Sequence, residues 1–159
     1  MDCEARRKRL LEGRQVDGFL VFDLDRTMPS QMDRPNMQYL SGYSGEGALL
    51  ITNEATVIIT DSRYLEQAKQ EVPELPLVHA ELKYYKEMAQ EIGKRGLKRI
   101  GYAAWRTTDY VLGRLSELPG PRKLFDLHVK RYADGRFRSR WKRAGEFPSN
   151  VGDGHALAG

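Results

Sequence analysis

The hydrophobic pattern of this 159-residue chain predicts a layered α/β fold, in which a sheet has both of its faces covered. Three observations predict it. Residues 48–52 and 56–60, ALLIT and TVIIT, are apolar on nearly every residue and are separated by only three others, which reads as a hairpin buried on both sides. At Asp61 the period switches abruptly from two to that of a helix. Strand-like and helix-like segments then alternate up to about residue 127.

The elements follow in order. Residues 3–13 suggest a helix with Ala5, Leu10 and Leu11 inward and Arg6, Arg7, Lys8 and Arg9 in solvent; Gly13 is its stop. Residues 17–22, DGFLVF, read as a buried strand, and residues 23–35 as irregular, because Pro29 and Pro35 resist regular structure. A short helical turn opens at Asn36 and gives way to a bend at Gly42, Gly45 and Gly47. After the hairpin, Tyr64, Leu65, Ala68 and Val72 recur at helical spacing; Asp61 or Ser62 is expected to cap this helix and Pro73 to end it. Residues 75–79 form a short strand. Tyr84, Tyr85, Met88 and Ile92 mark the apolar side of a helix over 84–94. A strand at 99–103, a helix at 107–118 opened by Thr107 or Thr108, and a last strand at 123–127 complete the pattern.

Composition narrows the function classes. The chain is about one domain long, with 40% hydrophobic and 30% charged residues, as in ordinary globular domains. A single cysteine, Cys3, excludes an internal disulfide and fits a reducing compartment. The charged N-terminus lacks the apolar core of a secretory signal, and no apolar run approaches the ~20 residues that span a bilayer. A cytoplasmic protein with no membrane partner is therefore expected. Residues 1–127 hold 19 Lys+Arg against 19 Asp+Glu, so the formal charge of +4 resides in residues 128–159. There Arg136, Arg138, Arg140, Lys142 and Arg143 interleave with Phe137 and Trp141, the mixture that single-stranded nucleic-acid binders use. A solvated helix or extension accounts for the same residues, and nucleic acid is not expected as the main partner.

Candidate chemistry is sparse. A two-metal hydrolase centre needs several carboxylates and an imidazole converging on metals about 3.5–4 Å apart. His79, His128 and His155 stand in no such pattern, and no metal ligand or catalytic residue is assigned in this chain. No G-x-S-x-G nucleophile elbow is present, and Cys3 has no evident base beside it. Asp23 and Asp25 flank Leu24 after the first strand; such a pair could do acid–base work or bind a cation, but a capping or solvated role is preferred. The three glycines precede a strand, whereas a phosphate loop needs a helix there.

The stretch Asn36, Tyr39, Leu40, Ser41, Gly42, Tyr43, Ser44, Gly45, followed after the hairpin by Asp61, Arg63 and Tyr64, resembles the N-terminal domain of the creatinase/prolidase/aminopeptidase P family. Ser62 stands where that family usually has glycine. The likeness covers residues 1–127 in its order of elements. It implies a three-layer mixed sheet with helices on both faces, similar to the ribonuclease H-like fold. It also implies a parent enzyme, an Xaa-Pro aminopeptidase or prolidase, whose separate catalytic domain binds two divalent metals such as manganese or cobalt. In such an enzyme the N-terminal domain makes oligomer contacts, including dimers, and walls the cleft that receives proline-containing peptides. On that reading Asp61, Arg63, Tyr64 and Trp105 are candidates for the cleft wall or an interface; the alternative is a helix cap with packed aromatics. A non-catalytic module that binds peptides or proteins is the further alternative. Residues 142–146 are similar to the linker helix that opens the family's catalytic domain, and residues 147–151 to a later segment of it. They stand too close together for an intact copy. The resemblance therefore implies an N-terminal domain over 1–127 and a basic, atypical segment over 128–159, left by truncation, deletion or a change of frame.

Overall fold

The computed structural model describes residues 2–12, 16–23, 35–81, 84–102, 122–131 and 137–147; positions 23, 35 and 36 and the last two ranges are described as backbone. Four helices and seven strands lie in these ranges: α1 (Cys3–Leu11), β1 (Gly18–Asp23), α2 (Pro35–Ser41), β2 (Gly47–Thr52), β3 (Thr56–Thr60), α3 (Leu65–Glu71), β4 (Leu77–His79), α4 (Tyr84–Lys94), β5 (Arg99–Tyr102), β6 (Arg122–Arg131) and β7 (Phe137–Phe147). The strands form one mixed sheet in the order β4-β3-β2-β1-β5-β6-β7. The hairpin pairs antiparallel with Leu49 opposite Ile58, and β2 pairs antiparallel with β1. β4 runs parallel to β3, and β5 parallel to both β1 and β6.

Strand alternation sorts the apolar side chains into two cores. Phe19, Val21, Leu49, Ile51 and Ile58 point to one face, where Leu11 of α1, Met37 and Leu40 of α2 and Ala68 of α3 cover them. Leu20, Phe22, Leu50, Val57, Ile59 and Ile100 point to the other, beneath Tyr84, Met88 and Ile92 of α4. Helices therefore cover both faces, which is why β2 and β3 are buried along almost their whole length and carry apolar residues on both sides rather than alternating. Each fully buried aliphatic side chain here contributes on the order of 1.5–3 kcal/mol by leaving water.

Polar groups join these layers. Arg6 and Arg7 of α1 donate to the Tyr39 and Leu40 carbonyls at 2.9 and 2.8 Å, satisfying acceptors that the end of α2 leaves open. Asp17 accepts from the Arg99 guanidinium at 2.7 Å and from the Arg99 and Lys98 amides at 2.9 and 3.2 Å, which fixes the entry of β1 beside β5.

Several expectations change. β4 begins at Leu77 rather than residue 75, after Pro76. The last expected strand is longer, Arg122–Arg131, and pairs antiparallel with β7, so residues 142–146 lie in an edge strand and not in a helix. The expected helix at 107–118 lies outside the described residues.

Candidate interface corner around Asp61

The site is built where the hairpin leaves the sheet. Tight turns of backbone prepare it. Gly42 takes a φ of 83°, which closes α2 with its amide on the Gln38 carbonyl at 2.8 Å. Gly47 passes so near β3 that a Cβ placed on it would stand 2.4 Å from the Ile59 carbonyl oxygen. The fully buried Tyr43 sits between them, its hydroxyl 3.3 Å from Thr60 Oγ1, while Thr60 donates to the Glu46 carbonyl at 2.8 Å. Burial pushes the Tyr43 phenol up from its ordinary pKa.

β3 then ends on Asp61, which is buried although charged. Its carboxylate collects donors from two directions. The Arg63 Nη2 donates to Oδ2 at 2.6 Å, Nε reaches both oxygens at 3.1 and 3.2 Å, and the Arg63 amide donates to Oδ1 at 2.9 Å. From α4, on the opposite side of the sheet, Tyr84 Oη donates to Oδ2 at 2.5 Å. The Arg63 guanidinium holds the Asp61 carboxyl well below the usual carboxylate range, with help from Tyr84 and against the opposing effect of burial. Burial, and then the Asp61 charge, push Tyr84 up.

Asp61 does not cap α3 as the sequence suggests. The N-cap is Tyr64, which makes no side-chain cap bond. Asp61 instead closes the preceding turn, accepting the Arg63 amide on its side chain and the Tyr64 amide on its carbonyl at 3.1 Å. The helix starts at Leu65 and stops at Glu71, ahead of the Val72–Pro73 step.

Three of the four candidates thus meet at one corner: Arg63 ion-pairs with Asp61, and its guanidinium carbon lies 5.3 Å from the Tyr64 ring centroid. Trp105 lies outside the described residues. Tyr84 is the member that sequence reasoning missed. Its position on the apolar side of α4 identified it as core, and the only available signal was that a buried tyrosine hydroxyl needs a partner. Further along the same surface, Glu71 accepts from the Ser44 amide and hydroxyl at 2.8 and 2.7 Å and from Gln67 at 2.8 Å, which tethers the glycine bend to α3.

The corner is a poor metal site. Its one buried carboxylate is saturated by cationic and phenolic donors, and among the described residues no three of His, Cys, Asp and Glu are grouped to hold a metal ion. A bimetallic centre does not fit this donor set. His79 is exposed at the end of β4, and Asp23 closes β1; Asp25 and His155 lie outside the described residues. No described helix is long and apolar enough to cross a membrane.

The Creatinase/Prolidase N-terminal domain profile matches residues 5–129, and the chain belongs to that family. Among curated proteins it is 31% identical over 88 residues to the "Uncharacterized peptidase YqhT" of Bacillus subtilis, a match spanning 55% of this chain and 22% of that protein. Among solved structures, the N-terminal domain of cytoplasmic peptidase PepQ from Mycobacterium tuberculosis H37Rv superposes with a TM-score of 0.59 at 27% identity, covering 72% of this chain and 82% of that one. The X-Pro aminopeptidase from Thermotoga maritima gives a TM-score of 0.59 at 26% identity over 70% of this chain, but only 30% of its own length. The chain therefore spans about a fifth of the curated relative and under a third of that aminopeptidase.

Proposed function

We propose that this chain works as the non-catalytic N-terminal domain of an Xaa-Pro aminopeptidase or prolidase-type metallopeptidase, making oligomer contacts and walling the peptide cleft. Residues 1–127 are the working domain in this reading, and residues 128–159 a basic segment following it. The whole acts in the cytoplasm. The observation that carries the proposal is the family match over residues 5–129, which falls on the non-metal-binding part of the relatives. The Asp61 corner supports it. A half-buried aromatic, Tyr64, and an exposed guanidinium, Arg63, stand together there, the guanidinium tied to the buried Asp61. Arginine and tyrosine are among the residues that interfaces favour.

Two measurements test the proposal. The purified chain, incubated with Xaa-Pro peptides and added manganese or cobalt, is expected to release no N-terminal residue; turnover that follows the chain through purification overturns the non-catalytic assignment. Sedimentation velocity is expected to show self-association, and a monomer at all accessible concentrations removes the oligomer role.

A further inference from the structure

Arg63 has more hydrogen-bonding capacity than Asp61 uses. A guanidinium carries five N–H donors on two usable edges. The Nε/Nη2 edge is committed to Asp61, which is itself buried and anchored by Tyr84. Besides Asp61 the guanidinium interacts with the Tyr84 hydroxyl, and 52% of the side chain remains exposed. A second acid, Glu46, also approaches; its Oε2 stands 4.0 Å from Nη2, outside hydrogen-bonding distance. The arginine is thus held at its Nε/Nη2 edge while half of its side chain faces solvent. A planar pair of parallel N–H groups matches a carboxylate in bidentate geometry.

We propose that the outward edge of Arg63 is a carboxylate receptor, positioned by Asp61 and Tyr84 and partly guarded by Glu46. This deepens the cleft-wall reading, on which it rests, by naming the chemical group that the wall recognises. That group is either the α-carboxylate of a bound peptide or an acidic side chain. Fixing the guanidinium in advance removes the ordering cost that makes a free surface arginine a weak anion site. Glu46 competes electrostatically for the same charge, so the receptor engages only a carboxylate that displaces it.

The test follows the Arg63 side-chain Nε–H resonance by NMR in the isotope-labelled chain at constant ionic strength. Three short peptides are titrated: acetyl-Ala-Ala with a free C-terminus, acetyl-Ala-Glu amide, and acetyl-Ala-Ala amide. Saturable shifts in the millimolar range are expected with one or both of the first two and not with the neutral third, and the stronger responder identifies the source of the carboxylate. Arg63→Gln, which lacks that resonance and is followed by the backbone amide shifts of residues 61–64, should weaken binding at least tenfold. Glu46→Gln should tighten it severalfold, and Tyr84→Phe should weaken it while the domain remains folded. Should Arg63→Gln unfold the domain, the Glu46→Gln and Tyr84→Phe pair still decides. Shifts that are absent with both acids, equal with the neutral peptide, or unaffected by Glu46→Gln overturn the proposal. None of these readouts involves peptide turnover or self-association, so failure here leaves the cleft-wall and oligomer roles to stand or fall on their own measurements.

Discussion

Replacing Asp61 by asparagine tests whether this corner holds the domain together. The change keeps the side chain's shape and leaves an oxygen for the Arg63 amide, but it places an NH2 where Oδ2 accepts from Arg63 Nη2 and Tyr84 Oη. Two donor-to-anion bonds are lost. Hydrogen bonds to a charged group contribute about 1.5–3 kcal/mol each. The Arg63 partner is half exposed, so water replaces much of its share, and its loss is worth no more than about 1 kcal/mol. Tyr84 is buried and recovers part of its bond by accepting from the new amide. The expected total is about 2–3 kcal/mol. For a domain of this size that lowers Tm by roughly 8–12 °C. Tyr84→Phe alone removes one bond and should cost about 1–2 kcal/mol. Because both variants act on one oxygen, the double variant should be less destabilised than the sum by at least ~0.5 kcal/mol. Thermal or urea unfolding followed by circular dichroism provides all four corners of the cycle. An Asp61→Asn variant that melts within ~2 °C of wild type, a shift worth under about 0.5 kcal/mol, refutes the reasoning.

Acid should expose the same ion pair. Asp61 has a folded pKa far below its unfolded value of about 3.9, so its contribution is complete above about pH 5 and is lost as pH falls through the unfolded value toward the folded one. Asp17 acts in the same direction: partial burial raises its pKa, but the Arg99 side chain and the Arg99 and Lys98 amides together outweigh that and lower it. Wild-type Tm should therefore fall between about pH 5 and pH 2, and Asp61→Asn should flatten that fall; equal slopes in the two proteins would rule out the corner as its source. Gly47→Ala places a methyl 2.4 Å from the Ile59 carbonyl, and the hairpin must shift, at a cost of roughly 2–3 kcal/mol measured by urea unfolding; an unchanged midpoint would contradict the close approach. Ile58→Ala, at a wholly buried position beneath α3, should cost about 2–5 kcal/mol in the same assay, and a loss under ~1 kcal/mol would mean that face is less covered than described.

The parts of this fold that were legible in the sequence are those whose local pattern and tertiary environment agree. ALLIT and TVIIT read as doubly covered strands because both neighbouring layers demand apolar residues there, and α4 showed its inward side through Tyr84, Met88 and Ile92. The start of α3 was misread because Asp and Ser suit a cap and a turn equally well, and only the partners of Asp61 decide between them. β7 was missed although residues 137–142 alternate aromatic or small with basic at period two. The basic residues suggested solvent, and solvent-facing alternation suits an edge strand as well as an extension. Arg63 and Tyr64 were recognisable as a pair from adjacency in sequence. The link to Tyr84 is a contact across 23 residues and through the end of the sheet, with no periodic signature to betray it.

That link explains what the position asks of the sequence. The sheet separates two cores, each with its own helices. Asp61 stands where β3 leaves the hairpin and β4 runs alongside it. One of its oxygens serves the turn that leads to α3 in the first core, and the other also receives Tyr84 of α4 in the second. An asparagine cannot accept from both sides, and a glutamate would move the carboxylate by a methylene, so the requirement falls on an aspartate. Residue 62 carries no such demand. Ser62 is exposed, and its side chain meets solvent where most relatives were expected to have glycine. Within the Asp-x-Arg-Tyr stretch the demand therefore falls on Asp61, whose carboxylate joins the turn into α3 to Tyr84 of α4, and not on the exposed Ser62 beside it.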